Sequence, residues 1–344
     1  MTDVRSVQTI QQDMLQALEG CKRVLLSGPV APDGDSIGAC LALQYILRER
    51  GVQVDVAGTA SYRYDWMPAA DQMVPDDEIR PVYDGVVVLD GDRHRLTPPV
   101  ATAFAASPIK AIIDHHASTT PAGYTHCWLE HEAASTCEML YHCLETWNVQ
   151  LNHTLAELLY TGAIFDTGGF RYSNTTPKTH RMAAALVGAG VEHAAICTRV
   201  LMERRVGGLR LVGHVYSNAT FHLDGELAIG YATLDLKDTF DIVDGDLEGV
   251  VDQLVHTTGV EVAVLLVERG PQNIKYSLRS RGLVNVAHVA REIAPSGGGH
   301  PKASGVSIEG TVAEAAQIAI DVIGAHLNAA DRAKVSRLQI SRRC

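Results

Sequence analysis

Short apolar runs that end in acidic residues recur along the first half of the chain. Arg23-Val24-Leu25-Leu26-Ser27, Val52 to Val56, Gly85-Val86-Val87-Val88-Leu89 and Ile109-Lys110-Ala111-Ile112-Ile113 are rich in branched apolar residues and bounded by Gly, Pro or Asp. Such runs suit strands buried on both faces of a parallel sheet, where apolar and polar positions need not alternate. Between and after them, residues 5–20, 37–50, 132–147, 153–165 and 177–187 read as helices, with apolar positions at helical spacing. Strands alternating with helices predict an α/β domain with a parallel sheet, placed at residues 1–190.

Residues 191–216 keep a helical but less amphipathic pattern and read as an inter-domain connector. Strands are expected beyond it at Ala219–Leu223, Leu227–Thr233, Val260–Glu268 and Asn273–Arg279, with helices near 245–256, 285–293 and 311–327. These define a smaller α/β domain over residues 217–330. Within it, Ser296-Gly297-Gly298-Gly299-His300-Pro301-Lys302 reads as an open backbone loop whose N–H groups could meet an anion. Residues 331–344 form a basic tail (Arg332, Lys334, Arg337, Arg342, Arg343), read as a solvated end.

The strand ends carry the chemistry. The first strand runs into Pro32-Asp33-Gly34-Asp35-Ser36, with Asp35 or Ser36 placed to cap the following helix. The third ends at Asp90 and the fourth at Asp114-His115-His116. Ligands of open α/β sheets gather beyond the carboxyl ends of the strands, and ion pairs serving structure alone would not select the same end of each. Asp166 follows a helix and precedes Thr167-Gly168-Gly169-Phe170-Arg171, where glycines let the backbone approach a ligand and Arg171 could grip a phosphate. Asp33, Asp35, Asp90, His115 and Asp166 make a ligand set of hard oxygens plus one imidazole. That set suits Mn²⁺ or Mg²⁺ better than structural zinc. A carboxylate shared by two ions would make a two-metal centre.

Composition narrows the partners. At 344 residues with 46% hydrophobic and 20% charged residues, the chain is long enough for two globular domains. A net charge of −11 argues against a broad basic surface for long duplex nucleic acid. It leaves short anionic substrates open, because bound divalent ions reverse the local field. Seven scattered cysteines without a C-x-x-C pair fit free thiols in a reducing compartment. No stretch reads as a signal peptide or membrane span, so a cytoplasmic protein is expected. An isologous homodimer is the default oligomer.

Four motifs in order resemble the DHH phosphoesterase superfamily: Pro32-Asp33-Gly34-Asp35-Ser36-Ile37-Gly38, Asp90 with Arg95, Asp114-His115-His116, and Asp166-Thr167-Gly168 with Phe170-Arg171. Gly297-Gly298-Gly299-His300 is similar to the superfamily's DHH-associated second domain. The resemblance spans nearly the whole chain and is nearest to nanoRNases that also dephosphorylate 3′-phosphoadenosine 5′-phosphate. It implies Mn²⁺, with Mg²⁺ or Co²⁺ as substitutes. One metal site would draw on Asp33 and Asp90, and a second on Asp35, Asp90, His115 and Asp166. His116 would contact the scissile phosphate or protonate the leaving oxygen, and Asp114 would orient the histidine pair. Arg279, Gly298, Gly299 and His300 would hold the substrate's far end across a cleft between the domains. Substrates would be short single-stranded RNA or DNA and nucleotides. The alternatives are a cyclic or linear dinucleotide phosphodiesterase and a catalytically weakened nucleotide-binding protein. One departure stands out: the family's first motif carries a ligand His four residues before the first Asp, and Pro29 occupies that place here.

Overall fold

A computed structural model describes residues 6–243 and 245–341, with side chains of the last helix described through residue 329. The basic tail's side chains lie outside the described residues. The chain forms two compact units that divide between Glu203 and Arg204, inside the stretch read as a connector.

The first unit holds five strands, β1 (Arg23–Ser27), β2 (Gln53–Val56), β3 (Gly85–Leu89), β4 (Ile109–Asp114) and β5 (His126–Leu129). All neighbours are parallel, in the order β2-β1-β3-β4-β5. Helices α1 (Val7–Glu19), α2 (Gly34–Glu49), α3 (Pro98–Ala106), α4 (Thr136–Cys143), α5 (His153–Asp166), α6 (Pro177–Gly188) and α7 (His193–Cys197) surround the sheet. A π-helical turn, Thr198–Met202, follows α7.

Burial explains why the strands show no alternation. Val87 and Leu89 of β3 enter one hydrophobic cluster, with residues of α2, α4 and α5. Val86 and Val88 enter another, with Val100, Ala103 and Phe104 of α3. Helices α4 and α3 and strand β5 correct the sequence reading. The helix expected over 132–147 is confined to eight residues, α3 was not anticipated, and β5 is a short edge strand that hydrophobic pattern alone does not mark. This strand order reverses direction between β1 and β3, and such a reversal opens a crevice at the carboxyl ends of those two strands.

The second unit comprises α8 (Val206–Ser217), β6 (Thr220–His222), β7 (Leu227–Ala232), α9 (Leu234–Thr239), α10 (Val250–Val255), β8 (Val262–Gly270), β9 (Asn273–Ser280), α11 (Val286–Ile293), β10 (Gly298–His300), β11 (Ala303–Glu309) and α12 (Val312–Ser341). Its sheet runs β10-β11-β9-β8-β7-β6, antiparallel except where β7 and β8 pair in parallel. The Gly-Gly-Gly-His stretch, expected as an open loop, is an edge hairpin instead: Gly298 pairs with Gly305 and His300 with Ala303. Strand β8 is again buried on both faces, with Val262, Val264 and Leu266 in one cluster and Ala263, Leu265 and Val267 in the other.

Candidate active site

The acids of the first motif diverge in role. Asp33 caps α2, its Oδ1 accepting from the N–H groups of Asp35 and Ser36, both at 3.1 Å. The cap is therefore Asp33, not Asp35 or Ser36 as the sequence suggested. Asp35 is the second residue of α2, in its first turn, and is fully buried. Its carboxylate accepts from the N–H of Thr136 at 2.6 Å and of Cys137 at 3.0 Å, where α4 begins. A helix start supplies unpaired N–H groups and a positive field, which suits a carboxylate.

Asp90 leaves β3 in a left-handed backbone conformation, φ +57°. Its Oδ2 accepts from Ser36 Oγ at 2.6 Å and its Oδ1 from Thr136 Oγ1 at 3.3 Å. Ser36 Oγ also lies 3.3 Å from Asp33 Oδ1, so one hydroxyl stands between the two acids. His115 presents Nε2 to Asp166 Oδ2 at 3.0 Å and to Asp90 Oδ1 at 3.4 Å. Its Nδ1 is 3.1 Å from the carbonyl of Ala133, which fixes the ring with Nε2 toward the acids. One ligand atom each from Asp35, Asp90 and His115 lies within 4.8 Å of the others.

Asp114 serves His116 rather than both histidines. The buried carboxylate accepts from His116 Nδ1–H at 2.7 Å, from the His116 backbone N–H at 3.3 Å and from the Thr119 hydroxyl. His116 is the more open ring of the pair, and its Nδ1 also lies 3.7 Å from Asp90 Oδ1. The remaining candidates stand differently. Arg171 is exposed and its Nε–H donates to the Gly168 carbonyl at 2.5 Å, in the turn behind Asp166. Gly168 has φ +56°, and a Cβ there would meet the Tyr172 ring at 2.5 Å, so turn geometry itself accounts for this glycine. Arg279, in the second unit, lies on β9 and pairs with Asp252 at 2.7 Å. Gly298, Gly299 and His300 form β10.

Sequence reasoning passed over several contributors. Gly162 on α5 has Asp35 Oδ1 and Cys137 Sγ where a Cβ would go, at 2.5 and 2.3 Å, so only glycine lets the helix come this close. Thr136 touches both Asp35 and Asp90. Its helix start was visible in the sequence as Ser135-x-x-Glu138, a capping pattern. Pro29 packs its ring 3.3 Å from where a Gly91 Cβ would stand. The side chain of His94 is 73% exposed and faces Asp92.

The charges fit a cation. Asp33 is held well above the usual carboxylate range, by burial first and then by repulsion from Asp90, Asp166 and Asp35. Asp35 is pushed up to about 8 by burial and by Asp90 and Asp166. Burial opposes the Asp90 charge as well, but bonds from His115 and Ser36 and the nearby His116 hold it ionised below the usual range. His115 and His116 are both raised: their acidic partners outweigh the burial that disfavours a charged ring. Carboxylates crowded until they retain protons, facing one imidazole with no thiol among the converging atoms, form a donor set for a hard divalent ion.

This site stands at the reversal point of a parallel sheet, and the chain that carries it is a hydrolase with the two domains of the DHH phosphoesterases. Residues 23–163 match the DHH family, N-terminal domain, and residues 228–328 match the DHHA1 domain. Among individual relatives, the chain is similar to the bifunctional oligoribonuclease and PAP phosphatase NrnA of Thermus thermophilus, 29% identical over 299 residues and 87% of each chain. The Bacillus subtilis protein of the same name is 27% identical over 304 residues, 87% of this chain and 93% of that one. The crystal structure of an exopolyphosphatase-related protein from Bacteroides fragilis superposes with a TM-score of 0.83 at 26% identity, covering 96% of this chain and all of that one.

Proposed function

We propose that this protein is a Mn²⁺-dependent phosphoesterase that cuts short oligoribonucleotides to mononucleotides and converts 3′-phosphoadenosine 5′-phosphate to AMP. The observation that carries the reading is the convergence of Asp35, Asp90 and His115 beside a separately held His116. Similarity to two proteins named as oligoribonuclease and PAP phosphatase supports the choice of substrates.

In this reading Asp35, Asp90, His115 and Asp166 hold one ion, and Asp33 with Asp90 a second, weaker one. A bound divalent ion supplies Lewis-acid polarisation of the phosphoryl group and lowers the pKa of the attacking water. His116, kept protonated through Asp114 and Asp90, donates its remaining N–H to a phosphoryl oxygen or to the leaving oxygen. Asp114 fixes which ring nitrogen carries that proton to the substrate. Arg171 would add charge at the rim. Arg279, Gly298, Gly299 and His300 would bind the nucleotide's far end through one cation, backbone N–H groups and an imidazole.

A cytoplasmic location belongs to the same reading. The six described cysteines are all free, and four of them are buried. Among the described residues no helix is long and apolar enough to cross a membrane.

The test is a substrate panel with Mn²⁺, Mg²⁺ and Co²⁺: RNA of two to five nucleotides, longer RNA, the bisphosphate, and linear and cyclic dinucleotide messengers. Release of mononucleotides from the shortest RNA and of phosphate from the bisphosphate is expected. A Mn²⁺-loaded protein that leaves both untouched would refute the proposal, and turnover confined to dinucleotide messengers would replace it.

A further inference from the structure

The loop that leads into α4 touches most of the donor set. Ala133 offers its carbonyl to His115 Nδ1 at 3.1 Å, Thr136 and Cys137 offer N–H groups to Asp35, and Thr136 Oγ1 reaches Asp90. These are backbone groups and one hydroxyl, so their aim depends on whatever holds residues 133–137 in place.

Glu138, Ser135 and Asn174 hold them. Glu138, buried in the first turn of α4, turns its Oε2 back to the N–H of Ala134 at 3.2 Å. The same oxygen accepts from Thr179 Oγ1 of α6 at 2.9 Å, which ties the loop to a second helix. Ser135 completes the clasp by accepting from the Glu138 N–H at 3.0 Å. Burial opposes the Glu138 charge, but His142, Thr179 and the Ala134 N–H more than offset it, and the carboxyl lies below its ordinary range. Asn174 works from the other side. Its amide donates to the Ala134 carbonyl at 2.9 Å and to the Asp166 carbonyl at 3.0 Å. That one amide therefore joins the loop holding His115 to the helix end carrying Asp166. The hydrogen bonds of Glu138 and Asn174 go to none of the donor side chains.

We propose that Glu138 and Asn174 are positioning residues: a two-sided clamp on Ala134 that sets the distance between His115, Asp35 and Asp166 and so the affinity for the divalent ion. The clamp rests on the metal centre proposed above. Contacts of this outer kind change metal affinity by about 10–100-fold when removed, because the ligands keep their identity but lose their aim. Glu138 acts as an acceptor, so an uncharged acceptor of the same shape should serve in its place.

The experiment is calorimetric titration of the metal-free full-length protein with Mn²⁺. Glu138→Ala and Asn174→Ala should each weaken the tight site by about tenfold or more at unchanged stoichiometry. Glu138→Gln, whose amide oxygen still accepts from Ala134 and Thr179, should bind within about threefold of the native protein. A purely structural role would lower the fraction of chains that bind, not the affinity of those that do. Native affinity in both alanine variants, with or without reduced stoichiometry, would overturn the clamp. So would a Glu138→Gln variant as weak as Glu138→Ala. A native protein that takes up no Mn²⁺ would instead remove the metal centre itself, and the clamp with it.

Discussion

The two units handle their candidate residues in opposite ways. In the first, the side chains come from β3, β4, α2 and α5: Asp90 is met by a hydroxyl, His115 by a carbonyl, Asp35 by a helix start, and Asp166 by His115 itself. In the second, Gly298, Gly299 and His300 follow one another on a half-buried edge hairpin, and the cation of Arg279 is matched by Asp252. The first arrangement is built on buried like charge and needs a cation to relax it. The second is built on backbone and one balanced ion pair, and is stable without a ligand. In the proposed division of roles, chemistry and recognition draw on different physical reserves, and variants should separate them.

The largest separation is expected at the centre. Losing Asp35 or His115 to alanine removes a ligand, and kcat should fall by about 10³-fold or more, since metal-based charge stabilisation contributes several kcal/mol. Steady-state rates on a dinucleotide measure this, and a loss under tenfold would break the comparison. His116→Asn keeps the donor set and should cost about 10²-fold in kcat with Mn²⁺ affinity unchanged, the mark of a proton donor rather than a ligand. In the second unit, Arg279→Ala should raise KM by about tenfold and leave kcat nearly alone, as expected for binding shared by ground and transition states. An equal fall in kcat would place Arg279 with the chemistry instead.

The pH dependence sharpens the contrast without substrate. Asp33 and Asp35 are raised in the folded state, so the folded chain binds protons that the unfolded chain releases near pH 4. The contribution of Asp35 is lost as pH rises toward about 8, and that of Asp33 as pH climbs through its own raised value. His115 and His116 are also raised, and the stability they add, complete below about pH 6.5, is lost as pH climbs through their folded values. Asp90 has the opposite sign, but its window lies below about pH 4, under the unfolded carboxylate value. The metal-free protein should therefore melt several degrees lower at pH 8.5 than at pH 6, at roughly 2–4 °C per kcal/mol for a unit this size. Saturating Mn²⁺ should flatten the curve. A metal-free protein whose melting temperature rises over that interval would contradict the charge reading.

Much of the centre could be read from sequence because acids at strand ends are hard to explain any other way. Asp35, Asp90 and His115 come together as the pattern of strand ends implies, and Asp166, at the end of α5, reaches His115. Around the Asp33–Asp90 pair, Pro29 packs against Gly91 and Ser36 Oγ stands between the two acids. What could not be read is what backbone supplies. The Ala133 carbonyl and the N–H groups that open α4 have no residue type to announce them. The glycines before His300 suggested a loop because glycine is poor in strands, yet edge pairing with β11 overrides that preference. The resemblance implies that Asp114 orients both histidines; in the structure Asp114 accepts from His116 and Thr119, while the Ala133 carbonyl meets His115 Nδ1.

The left-handed backbone at Asp90 has a further consequence. Any residue but glycine, asparagine or aspartate is strained there by about 1–3 kcal/mol, so the mutational paths away from this aspartate are few. One of them, Asp90→Asn, keeps the conformation and deletes a charge from a crowded cluster. That charge is also the one His115, Ser36 and His116 hold ionised, so the metal-free variant should melt below the native protein as well as turning over almost nothing, a comparison that melting curves and rates settle together. Stability and activity then rest on the same carboxylate, so relaxed selection on catalysis alone would still hold this position in place.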